Sequence, residues 1–498
     1  MELREEKVNL GNFIKRIQDI MRNDSGINGD AQRLEQMVWL LFLKVYDAKE
    51  QEWEFMEDDY ESIIPERLKW RNWAVDKKDG NTLTGEKLLE FINNDLFVTL
   101  KNIELTEQTT VKQSIVKAVF EDCNNYMKDG ILLRQVVNVI DEINFTEYNE
   151  RHAFGEIYET LLKTLQSAGN SGEFYTPRAV TDFMVKMVKP TISDSVADFA
   201  CGTGGFLTST IKYLDKDIKS VEDRKFMDNL YGVEKKPLPY LLCITNMLLH
   251  DIDSPNIEHG NTLEKNVRDY TNKDKYDVIL MNPPYGGSEK KEIQNNFPLE
   301  LRGSETADLF MSVIMYRLKE NGRAAVVLPD GFLFGTDNTK VNLKKKLLKE
   351  FNLHTIIRLP RSVFAPYTPI TTNILFFDNL KSSEETWFYR LDMPEGYKNF
   401  SKTKPMKIEH FKPVIEWWNN RQEIEEEGKF KAKKYTHIEL EELGYDIDLC
   451  GFPHEEEEIL EPKELIINYK EKRKSLDEKI DSTLSQISKI LGFDVEEI

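Results

Sequence analysis

Ser195-Val196-Ala197-Asp198-Phe199-Ala200-Cys201-Gly202-Thr203-Gly204-Gly205-Phe206 is the stretch that decides the fold. It reads as a short buried strand, a glycine turn, and the start of a helix that continues through Leu207 and Ile211. Glycines in such a turn let a ligand come close to the backbone. Two familiar phosphate-binding readings fail. A dinucleotide fingerprint needs glycine at 202, 204 and 207, where the last position is Leu207, and no lysine follows the loop as a P-loop requires. About one β-α-β unit later, Tyr231-Gly232-Val233-Glu234 puts a carboxylate at a strand end, where it can accept a pair of ribose hydroxyls.

A second strand-and-turn follows. Tyr276-Asp277-Val278-Ile279-Leu280-Met281 reads as a buried strand, and Asn282-Pro283-Pro284-Tyr285 ends it, because neither proline can donate to a ladder. Open parallel sheets bind ligands at this carboxyl edge. An amino group on an aromatic ring is a weak nucleophile, since its lone pair is delocalised. The amide oxygen of Asn282 and the carbonyl of Pro283 can accept its two hydrogens, and the ring of Tyr285 can stack on its base. Taken alone, the tetrapeptide also fits an ordinary strand-ending turn with a packed tyrosine.

With both motifs in place, the chain resembles the S-adenosylmethionine-dependent, adenine-specific DNA methyltransferases, and within them the modification subunits of type I restriction-modification systems. Gly172-Glu173-Phe174-Tyr175-Thr176-Pro177-Arg178 resembles the family element that walls the methionine end of the cofactor. Its position ahead of the glycine loop and the tetrapeptide is the motif order of the group that contains modification subunits. Asn246-Met247-Leu248-Leu249-His250, Gly260-Asn261-Thr262-Leu263, Asp308-Leu309-Phe310, the segment from Gly322 to Gly331, Phe364-Ala365-Pro366-Tyr367-Thr368 and the segment from Asn373 to Phe377 extend the match. Asn261 stands where the family more often has aspartate.

The resemblance implies a doubly wound, mostly parallel α/β sheet of the S-adenosylmethionine-dependent methyltransferase type, with an α-helical N-terminal domain and a helical C-terminal extension. It implies methyl transfer from S-adenosylmethionine to N6 of a flipped-out adenine, without metal. Asn282, Pro283, Pro284 and Tyr285 are the expected catalytic residues. The expected cofactor pocket comprises Glu173, Phe174, Tyr175, Thr176, Pro177, Arg178, Asp198, Cys201, Gly202, Thr203, Gly204, Gly205, Glu234, Asn261 and Thr262. From sequence alone, Phe174 and Tyr175 fit a plain core equally well. Cys201 has no second ligand at metal spacing and reads as packing or lining. Implied partners are double-stranded DNA, a DNA specificity subunit, a restriction subunit and a second copy of the chain. Release-factor glutamine methyltransferases share the tetrapeptide, so a protein-amide methyltransferase, a freestanding DNA methyltransferase and an idle cofactor-binding scaffold are the competing readings.

Composition bears on those partners. The net charge is −20, which argues against a tight DNA grip by this chain alone and suits one shared with another polypeptide. Lys344-Lys345-Lys346 with Lys349, and Lys431, Lys433 and Lys434, read as solvated helix faces more readily than as phosphate grips. The 4 cysteines lack framework spacing, which suits a reducing cytosol. No apolar stretch approaches the roughly 20 residues that span a bilayer, so no membrane and a cytoplasmic location are expected.

Three regions are expected. Residues 1–150 carry helical spacing at Ile14, Ile17, Ile20 and Met21, and again at Leu34, Met37, Val38 and Leu41. Residues 151–390 hold the catalytic motifs. Residues 391–498 are charged, with acidic runs at Glu425–Glu427 and Glu455–Glu458, and end in a helix from Glu464 to about Leu491. On that helix Tyr469, Leu476, Ile480, Leu484, Ile487 and Leu491 form one apolar stripe. It suits folding back on its own domain or, as the resemblance implies, docking to the specificity subunit.

Overall fold

The apolar runs around Val196, Val278 and Ala325 have no polar face, so strands built from them must be covered on both sides. The computed structural model describes residues 2–76, 80–147, 155, 158, 161–162, 175–220, 222–365, 368, 370–380, 384–401, 403–426, 428–451 and 462–491. Its sheet consists of β1 (Val196–Asp198), β2 (Leu230–Glu234), β3 (Ile257–His259), β4 (Tyr276–Met281), β5 (Leu318–Pro329), β6 (Asn352–Arg358), β7 (Thr372–Asp378), β8 (Glu385–Arg390), β9 (Ile424–Glu426) and β10 (Lys429–Thr436). Their order is β3-β2-β1-β4-β5-β7-β6-β8-β10-β9. The first five in that order are parallel, and β7 is antiparallel to both of its neighbours.

Among the helices, α1 (Glu2–Met21), α2 (Asp30–Met56), α3 (Val111–Phe120) and α4 (Gly130–Asp141) precede the sheet, while α5 (Arg178–Val188), α6 (Gly205–Leu214), α7 (Pro237–Leu249), α8 (Thr306–Arg317), α9 (Asp330–Phe334) and α10 (Asn338–Lys349) are interleaved with its strands and α11 (Pro462–Leu491) follows it. The period of two along β4 sends Val278 and Leu280 into one core and Ile279 and Met281 into the other. In β5, Ala325 and Val327 face the first core while Val326 and Leu328 face the second. The sheet is thus wound on both sides, as the sequence leads one to expect.

The N-terminal helices do not form a separate core. Val38, Leu41, Phe42 and Tyr46 of α2 belong to the same buried cluster as Leu242 and Ile244 of α7 and Val278 of β4. The charged region after residue 390 contributes β9 and β10 to the main sheet.

The lysine runs meet the sequence expectation only in part: Lys345 and Lys349 are exposed on α10. Lys344 is 1% exposed, because its ammonium donates to the carbonyls of Leu333 and Gly335, each at 2.8 Å. Lys431, Lys433 and Lys434 lie on a strand, β10, where β-branched Thr436 and aromatic Phe430 and Tyr435 favour extended backbone. Lys431 pairs with Glu426 at 3.2 Å, and Lys434 pairs with Glu385 at 2.8 Å.

By its contacts the chain divides into residues 1–451 and 452–498. In the second unit, α11 exposes Tyr469, Leu476, Ile480 and Leu484. Ile487 and Leu491 have no described side chains, and Glu455–Glu458 lies outside the described residues. No helix among the described residues is long and apolar enough to cross a membrane.

Candidate active site

The chain leaves β1 towards β2 and β3 on one side, then returns to β4 and β5 on the other. This reversal opens a crevice between the carboxyl ends of β1 and β4, where open α/β sheets bind ligands. A cavity of about 340 Å³ lies there. Its lining includes Asp198, Cys201, Gly202 and Thr203 from the glycine turn, Glu234 from β2, and Asn282 from the end of β4.

The glycine turn is held by its own geometry and by Glu234. Gly202 and Gly204 have φ of 55° and 79°, a left-handed backbone that glycine adopts without strain. A side chain on Gly204 would also meet Cys243 Sγ at 2.9 Å and Met247 Cε at 3.0 Å, so the turn packs directly on α7. Glu234 accepts the Gly202 amide on Oε2 at 2.9 Å and the Lys236 amide on Oε1 at 2.7 Å. Asn246 of α7 donates to the carbonyl of Thr203 at 3.0 Å, and Thr262 donates to the carbonyl of Phe199 at 2.7 Å.

This half of the cavity disfavours negative charge when empty. Burial pushes the Asp198 carboxyl up to about 8, and the carboxylate of Glu234 adds to the rise. Burial also raises Glu234, against the backbone amides that hold its charged form. Cys201 and Cys243 are buried with their sulfurs 3.9 Å apart, and that contact with burial holds the Cys201 thiol well above its ordinary range.

The opposite wall is built by Asn282. Its Nδ2 donates to Thr176 Oγ1 at 3.0 Å, which fixes the plane of the amide. Its Oδ1 is buried and has no hydrogen-bond partner among the described residues. An orphaned buried acceptor costs roughly 1–3 kcal/mol, so this atom is suited to a donor that arrives with a ligand. A primary amine is such a donor.

The remaining expected residues distribute as follows. Thr176, Gly205, Asn261, Thr262 and Pro284 line the cavity with those above. Pro283 is buried, and Tyr285 is half-buried against the second core; neither is in the lining. Gly204, Tyr175, Pro177 and Arg178 are not in the lining; Gly204 shapes the turn, and the Arg178 guanidinium packs against Gly205. Asn261 turns its Oδ1 back to cap the Leu263 amide at 3.2 Å, which commits part of its capacity locally. Glu173 and Phe174 lie outside the described residues, as do Pro366 and Tyr367. Sequence reasoning missed Lys235 and Lys236, Gly287 to Glu289, and Thr306, which also line the cavity. The one signal for the loop after the tetrapeptide was Gly286-Gly287, whose first member has φ of 77°.

Residues 149–458 match the family model for the N-6 DNA methylase, and residues 10–140 match that of the HsdM N-terminal domain. The methylase subunit of the type I restriction enzyme EcoEI from Escherichia coli is 48% identical over 491 residues, covering 97% of this chain and 98% of the relative. The chain belongs to the methylase subunits of type I restriction enzymes. A modification subunit from Vibrio vulnificus YJ016 has the same fold as this methylase subunit, with 40% identity, a TM-score of 0.76, and coverage of 89% of this chain and 96% of that one. A chain from a type I restriction-modification system, solved for its complex assembly and conformational transition, matches with 32% identity and a TM-score of 0.79 over 97% of this chain and 98% of that one. As a type I methylase subunit the chain is an adenine-specific DNA methyltransferase.

Proposed function

We propose that this methylase subunit transfers a methyl group from S-adenosylmethionine to N6 of an adenine extruded from duplex DNA, at sites chosen by a separate specificity subunit. The single observation that carries this reading is the buried Oδ1 of Asn282, which has no partner among the described residues and is oriented by Thr176 at a glycine-turn cavity. A base inside a duplex cannot reach such an atom, so the adenine has to leave the stack.

The residues present fit the cofactor. The left-handed glycine turn leaves room for close backbone approach, Glu234 offers lone pairs for ribose hydroxyls beyond those the amides occupy, and Asp198 with Glu234 favours a cationic ligand. S-adenosylmethionine supplies a methyl group on a positively charged sulfonium. Asn282 Oδ1 and the Pro283 carbonyl accept the two hydrogens of the adenine amine, so its lone pair points away from them towards that methyl. Thr176 keeps the amide from rotating. Tyr285 offers a ring to the extruded base.

The acidic balance of the chain, −20 overall, favours a shared DNA grip. The exposed Tyr469, Leu476, Ile480 and Leu484 on α11 suit docking to helices of the specificity subunit. A restriction subunit and a second methylase subunit complete the proposed assembly. The test is transfer of labelled methyl from S-adenosylmethionine by the complex assembled with its specificity subunit, with the product digested to nucleosides. N6-methyladenine is expected. Label in a release-factor protein and none in DNA would replace this reading with protein-amide methylation.

A further inference from the structure

Phe334 ends the short helix α9, immediately beyond the carboxyl end of β5, and it is 52% exposed. Its neighbours Phe332 and Leu333 are fully buried, so the segment is anchored by them while Phe334 faces outward. The loop of Ile370, 48% exposed, meets the start of the same helix, where the Thr371 carbonyl accepts the amide of Asp330 at 3.2 Å. Two apolar side chains from two loops are therefore presented on the edge of the sheet that holds the cavity.

The segment carrying Phe334 is held at many points. Asp330 accepts from Arg358 at 3.0 Å and from Asn373 at 2.7 Å. The ammonium of Lys344 grips the carbonyls of Leu333 and Gly335, and the Ile447 amide donates to Leu333 at 3.3 Å. Burying a lysine ammonium costs free energy unless its partners are well placed, and burial here lowers Lys344 to about 8. So much restraint around one exposed ring indicates a ring whose position matters.

That position is next to the target-base side of the cavity. β4 and β5 are parallel neighbours with Met281 opposite Val326, so the turn after Asn282 and the segment after Pro329 emerge side by side. Contacts connect them. The Thr306 amide donates to Gly287 at 3.1 Å, Glu305 pairs with Lys340 at 2.7 Å, and the Lys340 side chain packs against Gly335. Gly287 and Thr306 line the cavity.

We propose that Phe334 is the wedge that enters the base stack of the duplex and fills the space vacated by the extruded adenine. Apolar side chains inserted at a base step offset part of the unstacking cost, and stacking on an aromatic ring is tolerant of sequence. That tolerance fits a subunit which leaves sequence reading to a partner. Phe334 here is a positioning residue: it acts on the conformation of the DNA and touches neither the cofactor nor the amine. The inference rests on the base-extrusion reading above.

The test uses the methylase subunit assembled with its specificity subunit, on a duplex with 2-aminopurine at the target adenine, whose fluorescence rises when the base leaves the stack. Wild type should give the rise. Phe334→Ala should lower it and slow methylation of the intact adenine duplex about tenfold, while Phe334→Trp retains both. The deficit should shrink on a duplex with an abasic site opposite the target. No fluorescence rise in wild type would overturn base extrusion and the wedge with it. A full rise with Phe334→Ala would overturn the wedge alone. So would a Phe334→Ala protein that assembles poorly but, per assembled complex, extrudes the base normally, since Phe334 would then contact the protein partner.

Discussion

The two walls of the cavity differ in how complete they are. On the Glu234 side, the carboxylate that lines the cavity already holds a backbone amide on each oxygen, and Thr262 ties the carbonyl of Phe199, while Asn246 Oδ1, behind the turn and outside the lining, has no partner among the described residues. On the Asn282 side, one amide end is held by Thr176 and the other, Oδ1, waits for a donor. A saturated wall is formed before any ligand arrives, so it can bind with little reorganisation. An unsaturated wall carries a cost that only the right ligand removes, which is how a buried acceptor turns into discrimination. Under the proposed function, the first wall is the cofactor half and the second the base half, which must reject whatever lacks the amine.

The largest effect should come from breaking the unsaturated wall. Asn282→Ala is expected to lower the rate of methyl transfer by about 10²–10³-fold, the usual scale for removing one well-placed polar group from a reacting centre. Calorimetric affinity for S-adenosylmethionine should not change. Turnover retained by this variant would remove Asn282 from the reaction and dissolve the contrast. Glu234→Ala attacks the saturated wall, and should weaken cofactor affinity by about 10–100-fold through loss of charge-assisted hydrogen bonds. If affinity is unaltered, Glu234 only props the glycine turn and the cofactor half lies elsewhere.

A smaller effect sharpens the comparison through pH. Asp198, on the saturated side, is held up to about 8 from 3.8, so the folded protein keeps a proton that the unfolded chain releases. Stability from this source is complete below about pH 4 and is lost as pH rises towards 8, with a slope of at most about 1.4 kcal/mol per pH unit. Urea unfolding of the ligand-free protein across that range should show the decline, and Asp198→Asn should flatten it. A profile that is the same in both proteins would mean that Asp198 is ionised in the empty cavity.

Much of the site was legible because its chemistry is local. The turn from Cys201 to Gly205 and the tetrapeptide from Asn282 are each contiguous, and their strands announce themselves as apolar runs. What was not legible depends on distant partners. Thr176 holds Asn282 across 106 residues, and nothing in either segment names the other. Lys344 sits in a run of lysines that reads as solvated, yet its ammonium is the clamp on α9, because the end of β5 brings bare carbonyls over that face of α10. Asn261 stands at a cofactor-facing position by motif, while its own cap on Leu263 takes up the side-chain oxygen.

Sequence by itself determined the winding of the sheet, the glycine turn and the tetrapeptide that ends β4, because alternating or continuous apolar patterns, proline and glycine act through nearest neighbours. It also determined the acidic balance that calls for partners. Only the tertiary structure decided that the N-terminal helices share a core with the sheet, that Glu234 is already engaged while Asn282 Oδ1 has no partner among the described residues, and that Phe334 is exposed beside the buried Phe332 and Leu333. Those outcomes depend on which buried polar atoms find partners after the chain has packed, and pairing across a hundred residues is set by the whole fold rather than by any one segment.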